Sequence, residues 1–140
     1  MTNRCISDIV QNQELLLMPP DASVAQACER MCERHVGAVL VADRSHHLLG
    51  IFTGRDAVRM LGQGGDATRT RLDAVMTPGP VTIAPDARAI DALRLMSDGG
   101  FRHLPVVDKD KVIAIVARSD FEGLELDRFE EEKSLWEHIG

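Results

Sequence analysis

Apolar positions along the chain recur first at helical spacing and then in short unbroken runs, and this succession occurs twice. Val24, Ala27, Cys28 and Met31 lie three or four residues apart within Ala22 to Arg34, directly after Pro20-Asp21, and predict an amphipathic helix. Ile90, Leu93 and Met96 repeat the pattern within Ala87 to Ser97. Each helix is followed by two apolar runs of strand length: Ala38 to Val41 with Leu48 to Phe52, then Leu104 to Val107 with Val112 to Val116. Polar turns at Asp43 to His47 and Asp108 to Lys111 join the runs as hairpins. A closing helix follows each hairpin, at Gly54 to Leu61 and at Ser119 to Leu124.

The two halves are copies of one unit. At an offset of 65 residues, Asp8-Ile9-Val10 falls on Asp73-Ala74-Val75, Pro20-Asp21-Ala22 on Pro85-Asp86-Ala87, Met31 on Met96 and Asp43 on Asp108. One residue then drops out of the second hairpin turn, and at an offset of 64 Ile51 meets Ile115 and Asp56 meets Asp120. The period is far too long for a heptad or a solenoid and describes two β-α-β-β-α units, each needing the other to bury its apolar faces. This is an α+β plan. The first unit covers residues 7–62 and the second 73–125, with a Gly-rich linker over 63–72 and an acidic tail over 126–140 that reads as an added helix anchored by Phe129, Leu135 and Trp136.

Composition narrows the function classes. With 140 residues, 44% hydrophobic and 27% charged, the chain can bury a core of its own, and no apolar run approaches the roughly 20 residues needed to span a bilayer. A net charge of −6 disfavours a phosphate-backbone footprint, so bulk nucleic acid is not an expected partner. The N-terminus has no apolar stretch of a secretory signal, and three cysteines form no paired framework; both point to the cytoplasm.

The chemistry concentrates where the first hairpin meets its closing helix, in Gly50-Ile51-Phe52-Thr53-Gly54-Arg55-Asp56. A threonine ending a strand before a helix sets a hydroxyl beside unpaired N–H groups, where the helix dipole favours an anion such as phosphate. Three residues on, Asp56 offers two acceptor oxygens to a vicinal diol. The same spacing also makes a helix cap, and the two readings are compatible.

Two β-α-β-β-α units in tandem, Gly50-Ile51-Phe52-Thr53-x-x-Asp56 closing the first, and Val75-Met76-Thr77-Pro78 with Phe101-Arg102-His103-Leu104-Pro105-Val106-Val107-Asp108 in the second, resemble a pair of cystathionine-β-synthase (CBS) domains, the Bateman module. The resemblance covers about residues 7–125. It implies two repeats related by a pseudo-two-fold axis, and a regulatory module without chemistry of its own. It also implies adenosine-type ligands (AMP, ADP, ATP, NAD or S-adenosylmethionine, with AMP or ATP foremost) held in clefts between the repeats, and homodimers shaped as a flat disk. Carried onto this chain, the expected contacts are Thr53, Arg55 and Asp56, then Asp120, Arg118, Arg102 and His103, with Pro105 in the same motif and Thr77 and Thr82 toward ribose or base.

The second copy departs from the motif: Ala117 replaces Thr53 and Ala114 replaces Gly50, while Asp120 stays. One hydroxyl is missing there, which puts nucleotide binding by that cleft in question. Cys28, Cys32 and His35 share a helix face at a spacing that suits zinc, but the repeat sets Leu93 and Ser97 at the first two positions, so a core and a boundary residue are the simpler reading. His46-His47 reads as a solvated turn, and Gly62-Gln63-Gly64-Gly65 lacks the Lys-Ser/Thr of a phosphate loop. Beside a ligand-sensing module that modulates a target protein stands an interaction protein acting through its dimer and acidic tail. An enzyme is the weakest reading.

Overall fold

A computed structural model describes residues 4–11, 13–121 and 129–131. The elements are α1 (Ile6–Ile9), β1 (Leu17–Met18), α2 (Val24–Arg34), β2 (Ala38–Ala42), β3 (Leu48–Thr53), α3 (Gly54–Gly62), α4 (Leu72–Val75), β4 (Thr77–Pro78), α5 (Ala89–Gly99), β5 (His103–Asp108), β6 (Lys111–Ala117) and a 3₁₀ turn at Arg118–Asp120. The expected order of two β-α-β-β-α units is met. The 3₁₀ turn replaces the start of the second closing helix, whose remainder to Leu124 lies outside the described residues, as do Leu135 and Trp136 of the tail. Phe129 is described and buried against the second repeat's core.

Helix limits follow from local chemistry. Ser23 caps α2 in a reciprocal box with Gln26 (3.1 and 2.9 Å), so the helix begins at Val24 rather than Ala22. It ends at His35, in the left-handed region at φ 53°, where its repeat counterpart Gly100 ends α5 at φ 71°.

In the first sheet β1 runs parallel to β2, β2 antiparallel to β3, and β3 antiparallel to β4, the strand leading out of the linker. The second sheet pairs β5 with β6 antiparallel, and Ile83 joins it through one parallel bridge to Val106. That bridge is the image of Met18 against Val41 in the first repeat, 65 residues earlier. Thr77 thus lies on a strand, whereas Thr82 precedes a single bridged residue.

The lead-in segments cross over. Ile6 of α1 belongs to the core of the second repeat, with Leu93, Met96, Leu104 and Val116, while Leu72 of α4 belongs to the core of the first, with Val24, Met31, Val39 and Phe52. The backbone repeats the exchange: Ile6 and Ser7 donate to Ala87 and Pro85 (both 2.9 Å), and Leu72 and Asp73 donate to Ala22 and Pro20 (2.8 and 3.1 Å). The acceptors correspond at the offset of 65 but the donors at 66, so the bonded counterpart of Leu72 is Ile6. A third cluster, Ala38, Leu40, Ala42, Ile51 and Val112, with Leu15, Val107 and Ile115 against it, packs the two sheets together. Burial of these faces drives the joining of the repeats.

Candidate functional site

Between the repeats opens a cavity of about 590 Å³, within the range of small-molecule sites. Its floor is the start of α3. Thr53, extended at φ −121° and ψ 169°, accepts a hydrogen bond on its hydroxyl from the Asp56 N–H (3.4 Å). The Asp56 carboxylate in turn accepts from the Thr53 N–H (2.9 Å) and the Thr53 hydroxyl (3.2 Å). Asp56 is 5% exposed, unusual for a carboxylate, and its second oxygen receives Arg59 at 3.4 Å. The cap and the cleft therefore coincide: Thr53, Gly54, Arg55, Asp56 and Arg59 all line the cavity.

The opposite wall comes from the second repeat. Gly99 and Gly100 end α5, Phe101 folds back over them, and Arg102 and His103 start β5. A methyl group on Gly99 would overlap the Phe101 ring, so the ring occupies the space a side chain would take. His103 packs on Gly37, whose added Cβ would stand 3.4 Å from Nε2. Burial pushes the His103 imidazole below its ordinary value; Asp120 opposes this and Arg102 adds to it. The third wall is Ile51, Thr77 and the residues after β4, Gly79 to Val81, with Val81 48% exposed.

Of the residues expected from sequence, Thr53, Arg55, Asp56, Thr77, Arg102 and His103 meet around this cavity. Four do not line it. Pro105 is buried in β5 opposite Ile115, and its carbonyl accepts from Ile83 (3.0 Å). Thr82 faces a shallower hollow beside His47, Val107 and Asp110. Arg118 and Asp120 stand at the image of the α3 start, on the other side of the pseudo-axis. There the Asp120 carboxylate accepts from the Ala117 N–H (2.7 Å), so half of the cap survives without the hydroxyl. The Arg118 N–H bonds the Arg102 carbonyl (3.0 Å) just as Gly54 bonds Gly37 (3.2 Å).

Arg59, Val81 and Phe101 are cavity residues that sequence reasoning missed. Arg59 had a signal, one helical turn beyond Asp56 on the same face; the others face the cleft only once the repeats are packed. The structure also explains Gly50. A Cβ there would lie 2.5 Å from the Met76 sulfur and 2.8 Å from the Thr77 carbonyl, because β4 runs directly over it. In the second repeat the position is Ala114, and beside it the side chain of Gln13 donates to and accepts from the Ile115 backbone at 2.8 Å each. Asn12 beside it lies outside the described residues.

Among the described residues no three His, Cys, Asp or Glu side chains converge to hold a metal. Burial and the neighbouring Cys32 push the Cys28 thiol up, away from the thiolate a metal needs. No described helix is long and apolar enough to cross a membrane.

Comparison with known proteins agrees with this architecture. The CBS domain family model matches residues 6–63 and 72–123. The chain is 41% identical over 102 residues to the CBS domain-containing protein CBSCBSPB3 of Arabidopsis thaliana, an overlap of 72% of this chain and 18% of that protein. It spans less than a fifth of the length of such relatives. Among solved structures it resembles the CBS-domain containing protein ATU1752 from Agrobacterium tumefaciens, with a TM-score of 0.77, 28% identity, and 86% and 91% of the two chains covered. It also shares the fold of the CBS domain protein PAE2072 from Pyrobaculum aerophilum complexed with AMP, with a TM-score of 0.83, 18% identity, and 91% and 99% covered.

Proposed function

The chain belongs to the CBS-domain family, and from that membership we propose that it is a regulatory module that binds an adenosine-type ligand in the cleft between its repeats. The observation that carries the reading is the buried carboxylate of Asp56 at the cavity floor, one turn into a helix whose N-terminus opens on the same space. A ribose diol donates to Asp56, which displaces Arg59 from its 3.4 Å contact. A phosphate takes the N–H groups at the start of α3, with Arg55 and Arg102 at the rim supplying charge. The adenine lies against Ile51, Val81 and Phe101, an apolar wall suited to a flat base. The AMP named for the Pyrobaculum aerophilum protein supports this ligand class.

Such a ligand touches both repeats at once: α3 belongs to the first, Arg102 and His103 to the second. Its binding shifts the balance between two arrangements of the repeats by its differential affinity for them, and a target protein reads the result. Homodimerisation belongs to the same reading, with exposed Val58 and Leu61, one turn apart on α3, as part of the contact. No reaction is assigned to the cleft.

The test is thermal unfolding against AMP, ADP, ATP, NAD and S-adenosylmethionine, for the natural chain and for Asp56→Ala. A ligand at 100 times its Kd adds about 2.7 kcal/mol of stability. A rise in Tm for one ligand, absent in Asp56→Ala, is the expected result; no rise with any of the five overturns the reading.

A further inference from the structure

The pseudo-two-fold axis that creates the open cleft implies a second one, built from the counterpart of every wall. We infer that the chain fills this second cleft with its own side chains, so that it holds one ligand and not two. The inference rests on the reading of the open cleft as an adenosine-type site.

Three observations carry it. In the open cleft Gly99 and the residues after β4, Gly79 and Pro80, line the same cavity, and the space between them is part of it. At the corresponding places, 65 residues earlier, stand Arg34 and Glu14-Leu15. The Arg34 guanidinium crosses from the end of α2 to the lead-in strand, donating to the Glu14 carbonyl at 2.7 Å and lying 3.7 Å from its carboxylate. A long charged side chain thus ties together two walls that two glycines leave apart.

The second observation is Gln13. Its carboxamide presents a donor and an acceptor side by side to the Ile115 C=O and N–H, both at 2.8 Å. Ile115 is the counterpart of Ile51, an open-cleft wall. Beside Ile51 runs the backbone of β4, with Thr77 opposite it; beside Ile115 a carboxamide side chain takes that place, so this wall is closed by a side chain of the lead-in segment where the open cleft has a strand.

The third is the floor. Ala117 provides no hydroxyl, and the 3₁₀ turn it leads is one turn long, so the orphan N–H groups and dipole that favour a phosphate at α3 are weaker here. Arg4 further occupies the Asp120 carbonyl at 3.2 Å. Floor, wall and edge are all changed in the same direction.

The experiment counts AMP bound per chain by equilibrium dialysis and follows amide hydrogen exchange at Ile115. One AMP per chain is expected, lost in Asp56→Ala and retained in Asp120→Ala. In the ligand-free chain the Ile115 amide exchanges slowly, and Gln13→Ala, a surface change that leaves the core intact, speeds it at least tenfold. Two AMP per chain, or a count that falls by one in Asp120→Ala, overturns the inference. So does an Ile115 amide that exchanges freely in the natural chain, whatever AMP does. A protected Ile115 amide with no AMP bound at all leaves the filled cleft standing and removes the nucleotide reading instead.

Discussion

The guanidinium of Arg59 stands 3.4 Å from Oδ1 of Asp56, across one turn of α3 and on the rim of the cleft. In the ligand-free chain the arginine neutralises a carboxylate that is otherwise held by two donors from Thr53. Arg59→Ala leaves that negative charge facing the bound phosphate. We expect AMP affinity to fall about fivefold, roughly 1 kcal/mol, while adenosine affinity changes less than twofold, a contrast that calorimetry with the two ligands reads directly.

Thr53 acts on stability and binding at once, and two substitutions separate the roles. Thr53→Ala removes cap and hydroxyl together, costing about 1 kcal/mol of stability and about tenfold in AMP affinity. Thr53→Ser keeps both oxygen functions and should retain nearly all of each. Equal affinities for the two variants would remove the hydroxyl from the ligand's contacts.

Gly50 is held by β4, not by its own backbone. Gly50→Ala drives a methyl group into Met76 and the Thr77 carbonyl, and we expect a loss of about 2 kcal/mol in urea unfolding as β4 is pushed from β3. The reverse change, Ala114→Gly, meets no such contact and should cost less than about 1 kcal/mol, a strand glycine's usual penalty.

His103 makes stability depend on pH with a definite sign. Its folded value lies below the ordinary 6.5, so the unfolded chain takes up a proton first as pH falls. Stability drops as pH passes downward through the ordinary histidine range and levels off below the folded value. His103→Gln should remove that part of the slope between pH 7.5 and 5. A bound phosphate reverses the sign for affinity, since it favours the protonated imidazole: AMP binds more tightly as pH falls, and the variant loses this trend.

Much of this was legible in the residues. The repeat, its helices and hairpins, and the join of Thr53 with Asp56 all follow from short-range spacing, because caps and amphipathic faces are set within a few residues. What escaped depends on distant segments meeting. Phe101 becomes a cavity wall only because Gly99 makes room for its ring. Pro105 sits within a family motif yet points into the sheet, since side chains alternate along a strand and the motif does not state which face the cleft takes; Thr82 lies between β4 and the bridged Ile83 and faces a side hollow. The spacing of Ala117 and Asp120 suggests a helix start, but only half of the cap exists and the described residues there form a 3₁₀ turn.

The exchange of Ile6 and Leu72 between cores bears on how such a chain can arise and be divided. A gene fragment holding one repeat with its own lead-in would specify a body lacking the residue that plugs its interior and carrying a spare one with nowhere to insert. Two identical fragments, by contrast, could trade lead-ins and complete each other. The duplicated unit is therefore best regarded as an ancestral dimer written into a single strand, in which the halves are free to diverge in what they hold but not to separate.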